Sequence, residues 1–216
     1  MYQLIGPWKL ITIFGTVAAF VALVISWIWP ISEIPELWRI ASLSVTCSGF
    51  LVLLLGQTAI FPRLCRLPLV RIYLPPIDGT WTGEFTSNFP QIAKAFKLSP
   101  DSLGKPVVAE FTIIARLFDV RISSLSVSPR PGYMRSDTTA FRIAKSSHTH
   151  RNVIHYVFDA VVDAPEPSDV DRFYGAARLE ILGDGKGMTL QGAYWTDRNW
   201  QTGQNTAGTL KLRRKV

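Results

Sequence analysis

Tyr194-Trp195-Thr196-Asp197-Arg198 sets a forked cation beside aromatic faces, the combination that a phosphate and a planar base require together. Arg116, Arg121, Arg142 and Arg178, on extended runs or at their ends, offer the same guanidinium fork, although most such arginines serve as surface charges. Short hydroxyl side chains gather at Ser123, Ser124, Ser126, Ser128, Ser136, Thr138 and Thr139. Turned into a barrel they would suit a polar ligand. Turned outward they would be ordinary strand surface, and the alternation here leaves both faces open.

Catalytic groupings are scarce. The chain has no Gly-x-Ser-x-Gly elbow and no phosphate loop, and neither cysteine has a partner histidine or helix start for nucleophilic work. His148 and His150 lie in the polar stretch SSHTHRN with only His155 to follow, short of the three or four ligands a zinc site wants. Asp169 and Asp171 fall in a connector and are expected to face solvent. The run Gly183 to Gly187 reads as a hairpin link rather than a phosphate cradle, because no helix follows it. The sequence therefore predicts a binding protein, with a membrane-bound hydrolase as a weak alternative.

The elements that carry these residues follow from periodicity. From Pro75 onward apolar and polar residues alternate, predicting strands near 80–87, 107–116, 119–128, 133–145, 152–163, 171–182, 187–197 and 205–214. Ile154, Tyr156 and Phe158 share one face, as do Leu190, Gly192 and Tyr194, and Gly208, Leu210 and Leu212. Eight strands joined by short links predict a closed up-and-down barrel. Residues 88–104 break the alternation. Asn88, Pro90 and the apolar set Ile92, Ala95 and Phe96 against Lys94 and Lys97 predict a short amphipathic helix at a barrel mouth or on a membrane surface.

Ahead of the strands, the runs Trp8 to Trp29 and Trp38 to Phe61 are long enough to cross a hydrocarbon core of ~30 Å. Lys9 and Arg39 sit at their edges, and Trp8, Trp27, Trp29 and Trp38 occupy interfacial positions. No small-x-small cleavage site follows the first run, so it reads as a span rather than a signal peptide, and PISEIPEL between the two is a tight hairpin. Lys9 on one side and Arg63, Arg66 and Arg71 on the other place both termini in the cytoplasm. The expected division is a two-helix membrane region, 1–71, and a cytosolic barrel, 72–216.

Small residues Ser42, Gly49 and Gly56 recur at seven-residue spacing in the second span, and Gly15, Ala18, Ala19, Ala22 and Ser26 form a stripe in the first. Such stripes let helices approach closely, within one chain or between copies. The formal net charge of +7 fits a domain beneath an anionic leaflet and a small anionic ligand, with no polynucleotide required. Cys47 and Cys65 form no disulfide framework, as in a reducing cytosol.

Asp78-Gly79-Thr80-Trp81-Thr82-Gly83, Ser136-Asp137-Thr138, His155-Tyr156-Val157-Phe158, Gly175-x-x-x-Leu179, the run Leu190 to Arg198, and Gly208-Thr209-Leu210-Lys211-Leu212, in this order behind two spans, together resemble the two-transmembrane, β-strand-rich effectors of bacterial anti-phage CBASS systems. The likeness covers almost the whole chain. It implies a lipocalin-like barrel that binds a cyclic dinucleotide made by a cognate CD-NTase. Homo-oligomerisation then disrupts the lipid of the bacterial inner membrane and aborts the infection, with no cofactor and no nucleic acid polymer involved. Ligand-binding residues are expected at Arg116, Ser136, Thr138, Tyr156, Tyr194, Thr196 and Arg198, and a membrane oligomerisation face at Ser42, Gly49 and Gly56. The chain departs from the pattern in having no glutamine at 113–116 and no Asn-x-Pro at 159–165, which bears on the ligand more than on the fold. Gly79-x-Trp81 with Arg213 and Arg214 also looks like the lipocalin arrangement of a tryptophan under an arginine, so a tethered barrel for an apolar ligand is the second expectation.

Overall fold

The computed structural model describes residues 1–29, 33–97, 107–128, 132–165, 167 and 169–215; the middle of the expected hairpin between the spans, 30–32, lies outside them. The chain forms two compact units, 1–76 with 116–119, and 77–115 with 120–216.

The first unit holds α1 (Tyr2–Ile5), α2 (Pro7–Ile28), α3 (Ile34–Gln57), α4 (Ile60–Leu64) and α5 (Pro68–Arg71). Pro7 opens α2 at a position where a missing N–H costs nothing. A capping box between Glu33 and Glu36 opens α3, so two backbone donors there are satisfied reciprocally. At 22 and 24 residues, α2 and α3 are long and apolar enough to cross a membrane, and they pack on each other.

The buried positions of α3 are Ser44, Ser48 and Gly56. The Ser48 hydroxyl donates to the Ser44 carbonyl at 2.7 Å and Ser44 to the Ala41 carbonyl at 2.9 Å, so neither hydroxyl needs a partner from another helix. The small-residue stripe splits accordingly. Ser42 is exposed, and a Cβ added at Gly49 would meet nothing within 4 Å. Gly56 is engaged inside the unit, where its carbonyl accepts the Leu117 N–H at 2.9 Å and an added Cβ would lie 2.9 Å from Leu117 Cδ2.

The second unit is a closed ring in chain order, every joint antiparallel: β1 (Gly79–Ser87), β2 (Val107–Ala115), β3 (Val120–Ser128), β4 (Met134–Lys145), β5 (Asn152–Val162), β6 (Arg172–Leu182), β7 (Thr189–Thr196) and β8 (Ala207–Arg214). The expected boundaries agree with these to within two residues. The predicted helix at 88–104 is shorter, α6 at Phe89–Ala95, with Ile92 and Ala93 buried; residues 98–104 lie outside the described set.

Side chains of one parity fill the ring. At the end where β1 begins, the contents are aliphatic: Ile113 pairs with Ile122, and Ile143 with Ile154, which pairs with Leu179. All five are almost fully buried, each contributing about 1.5–3 kcal/mol by burial. Trp81 closes this end. Its indole N–H donates to the Ile77 carbonyl at 3.0 Å, while the Arg214 guanidinium lies 4.6 Å over its ring and donates to the Asp78 carbonyl at 2.9 Å. The lipocalin-like pair anticipated from Trp81 and the last-strand arginines is thus present, with Arg214 as the partner.

Gly192 and Gly208 are dictated by close approach, since a Cβ at either would strike a carbonyl oxygen of the next strand, that of Arg178 or Thr86. Backbone cannot swing aside as a side chain can. We expect Gly192→Ala to cost about 1–3 kcal/mol, read as a lowered melting temperature of the detergent-solubilised chain, and Gly15→Ala to leave it unchanged.

Candidate ligand-binding site

The rest of the ring's interior has different contents. One inward row runs Phe111, Ser124, Ser136, Ala160, Phe173 across five strands, and a second runs Thr138, Phe158, Gly175, Thr196. Phe85 adds an aromatic wall, its ring 5.8 Å from that of Phe111 and edge-on to Tyr194 at 5.1 Å. A Cβ at Gly175 would collide with the Phe158 ring, so glycine there is what lets that ring lie across the sheet. Serine and threonine hydroxyls thus stand between aromatic faces in this part of the interior, where the remainder is aliphatic.

Of the seven hydroxyls singled out in the sequence, the structure turns Ser124, Ser126, Ser136 and Thr138 inward and leaves Ser123, Ser128 and Thr139 on the outer face. Two of the inward four, Thr138 and Ser126, bond backbone across the joint between β3 and β4. Among the described residues β3 and β4 pair at only three positions, 123–125 with 135–137, against seven or more at every other joint. Beyond those positions side chains supplement the ladder, beside a backbone bond from the Gly132 N–H to the Ser126 carbonyl at 2.8 Å. Thr138 Oγ1 accepts the Ile122 N–H at 3.0 Å and donates to its carbonyl at 2.8 Å, and Ser126 Oγ accepts the Met134 N–H at 2.9 Å. A bulge between Thr138 and Ala140 accompanies these bonds. Ser124 and Ser136 hydrogen-bond each other at 2.7 Å in the interior, each keeping further capacity to bond.

Tyr156 and Tyr194 face inward with Ser136 and Thr196. Burial pushes the Tyr156 phenol far above its ordinary range. Burial also raises Tyr194, against the opposing effects of a hydrogen bond with Ser87 and the Arg198 charge. Both phenols keep their protons at neutral pH and can donate. Thr196 Oγ1 shares a 2.9 Å hydrogen bond with Thr206. Asn88 ties α6 to the same rim, its N–H donating to the Ala207 carbonyl and its Oδ1 accepting the Ala207 N–H, both at 2.8 Å.

Two expected site residues have other employment. Arg116 follows the end of β2 and belongs to the first unit. Arg198 is held by Asp169: its Nε donates to Oδ1 at 2.9 Å, a second guanidinium nitrogen engages Oδ2, and the guanidinium lies 5.3 Å from the Phe173 ring. Asp169, expected to face solvent, is instead largely covered, 11% exposed at the side chain. It also accepts from Val170 N–H at 2.9 Å, Tyr133 Oη at 3.2 Å and Asn199 Nδ2 at 3.3 Å. A connector carboxylate far along the chain from an arginine carries no local signal of pairing, which is why sequence reasoning missed it. Phe85, Phe111 and Phe173 were also missed, although Phe85 shares the parity of Trp81 and Gly83 and could have been found that way.

The site offers neutral hydroxyl donors, aromatic faces and one engaged guanidinium, and no group of metal-ligating side chains occurs among the described residues.

For Asp169, desolvation raises the pKa, but the Arg198 hydrogen bond and charge, with the Val170 and Tyr133 bonds, outweigh it and leave the value lowered. A depressed folded-state pKa gives stability that is present above the unfolded value of about 3.9 and lost as pH falls through the folded value. Melting temperature should therefore fall more steeply below about pH 4 in the wild type than in Asp169→Asn. Arg198→Ala, which strands the covered carboxylate, should cost about 1–3 kcal/mol at neutral pH.

No family model matches the chain. It is similar to "CD-NTase-associated protein 15" of Escherichia albertii, 27% identical over 149 residues that make up 67% of this chain and 64% of that protein; the match thus spans somewhat under two thirds of the relative's length. The resemblance drawn from the motifs is borne out: a CD-NTase-associated protein is a homologue of this chain, and the chain has two apolar N-terminal helices followed by a closed eight-stranded barrel.

Proposed function

We propose that this chain is a non-enzymatic effector of a bacterial anti-phage CBASS system. Its barrel takes a cyclic dinucleotide from a cognate CD-NTase, and the bound state self-associates and disrupts the inner membrane through α2 and α3. The observation that carries this reading is a hydroxyl-and-aromatic half-interior in a barrel that follows two apolar helices, in a chain related to a CD-NTase-associated protein. Serine and threonine hydroxyls with tyrosine phenols suit phosphate oxygens and base edges, and Phe85, Phe158 and Phe173 supply planar faces for bases. The reading places the chain in the inner membrane with both termini cytoplasmic.

A ligand shifts assembly only by binding the assembled state better than the monomer. Ser42 and Gly49, which α3 does not bury, are the membrane positions at which copies would meet in this reading.

Calorimetric titration of the full chain in detergent with a panel of cyclic di- and trinucleotides tests the reading. Tight binding of one member, recovered intact, is expected. Tyr194→Phe and Ser136→Ala should each weaken it about tenfold, roughly one hydrogen bond, with melting little changed. Undiminished affinity in both variants would overturn the site, and breakdown of the nucleotide would turn the reading to a hydrolase. The aliphatic half behind Trp81 and Arg214 supports one alternative, a tethered carrier of an apolar ligand; silence across the panel together with lipid co-purifying with the chain would favour it.

A further inference from the structure

We propose that the outer face of β4 to β7 is the surface on which a second copy of this chain packs, through an apolar band bordered by one basic and one acidic row. Strand register defines the band: Ala140, Val157, Ala176 and Trp195 are consecutive cross-strand partners pointing outward. Val157 is 41% and Trp195 49% exposed. On one side of the band, Arg142, His155 and Arg178 are likewise consecutive partners. On the other side Asp137 pairs with Asp159, which pairs with Tyr174, and the Asp197 carboxylate accepts the Tyr174 N–H at 2.6 Å. Glu180 approaches Arg178 at 3.5 Å from beyond the basic row, and Arg172 engages Asp159 from beyond the acidic one, so the charge contrast across the band is carried chiefly by Arg142 and Asp137 on β4.

This layout is self-complementary in one orientation only. Two identical faces can meet about a two-fold axis lying along the strands or across them. An axis along the strands would set the basic rows of the two copies against each other, which is repulsive. An axis across the strands, along the band, reverses strand direction between copies. Arg142 then comes over the partner copy's acidic row, the two acidic rows are likewise answered, and the residues of the band meet their own counterparts. Charge complementarity thus selects a second copy of the chain as the occupant and fixes how it docks.

The inference bears on the self-association in the reading above and supplies a surface for it outside the membrane. Its test uses no nucleotide, so failure of ligand binding and failure of this interface are distinguishable. The full chain is reconstituted into liposomes and oxidised, with the unsubstituted chain giving the background from Cys47 and Cys65. Ala176→Cys, beside the axis, should crosslink to a dimer about tenfold more than Thr82→Cys on the exposed face of β1. In the Ala176→Cys chain, Arg142→Asp or Asp137→Arg alone should reduce the crosslink several-fold, and the two together should restore it, because the two rows trade places across the axis. All these positions are on the outer face, and melting temperature checks that each variant is folded. Equal crosslinking at positions 176 and 82, or a double charge variant no better than the singles, would overturn the interface.

Discussion

Seven residue pairs between β1 and β8, from Trp81 with Arg214 to Ser87 with Gly208, turn a meander of hairpins into a ring. Without that joint, two strands would each present a row of unpaired N–H and C=O groups, and no inward face would exist to be filled. The joint dictates residues on both sides. Glycine stands at 208 because the Thr86 carbonyl leaves no room for a Cβ, and Arg214 ends the last strand where it can cover the Trp81 ring and bond the Asp78 carbonyl. Asp78 in turn accepts the Ala115 N–H at 3.0 Å, so the first, second and last strands are tied at one point.

Closure also creates the contrast on which the candidate site depends. Aliphatic side chains at one end supply apolar burial, and the remaining interior carries serines and threonines at tolerable cost, provided they are hydrogen-bonded. They are: Ser124 with Ser136, Thr138 with the Ile122 backbone, and Thr196 with Thr206. Outside the ring, Asp169 gathers Arg198, Asn199 and Tyr133 and fastens the connector before β6 to the one after β7.

The barrel was readable because period-two alternation over long antiparallel strands is a strong signal, and Ile154-Tyr156-Phe158 and Leu190-Gly192-Tyr194 fall on the inner face as their spacing requires. The hydroxyl run at 123–139 was not, because alternation stops being informative where the strand bulges at Thr138 and pairing thins to three positions. Arg198 illustrates another limit. Its position beside Tyr194 and Trp195 reads as a ligand contact, and only three-dimensional proximity shows the ion pair it makes with Asp169, 29 residues away. In the membrane segment, seven-residue spacing picked out Gly56 but could not distinguish contact within the chain from contact between chains, and the neighbour it has within the chain is Leu117.

The thin joint between β3 and β4 gives the ring a mechanical anisotropy. Elsewhere the circumference is fixed by ladders of seven or more pairs, whose parting would break many backbone hydrogen bonds at once. Along this line Thr138 and Ser126 make the bonds with rotatable side chains, which can exchange a backbone partner for water by turning about a single bond. The barrel is therefore stiff around most of its girth and compliant along one seam. That seam borders the hydroxyl-lined half, so girth can adjust there while the aliphatic end stays clamped under Trp81 and Arg214.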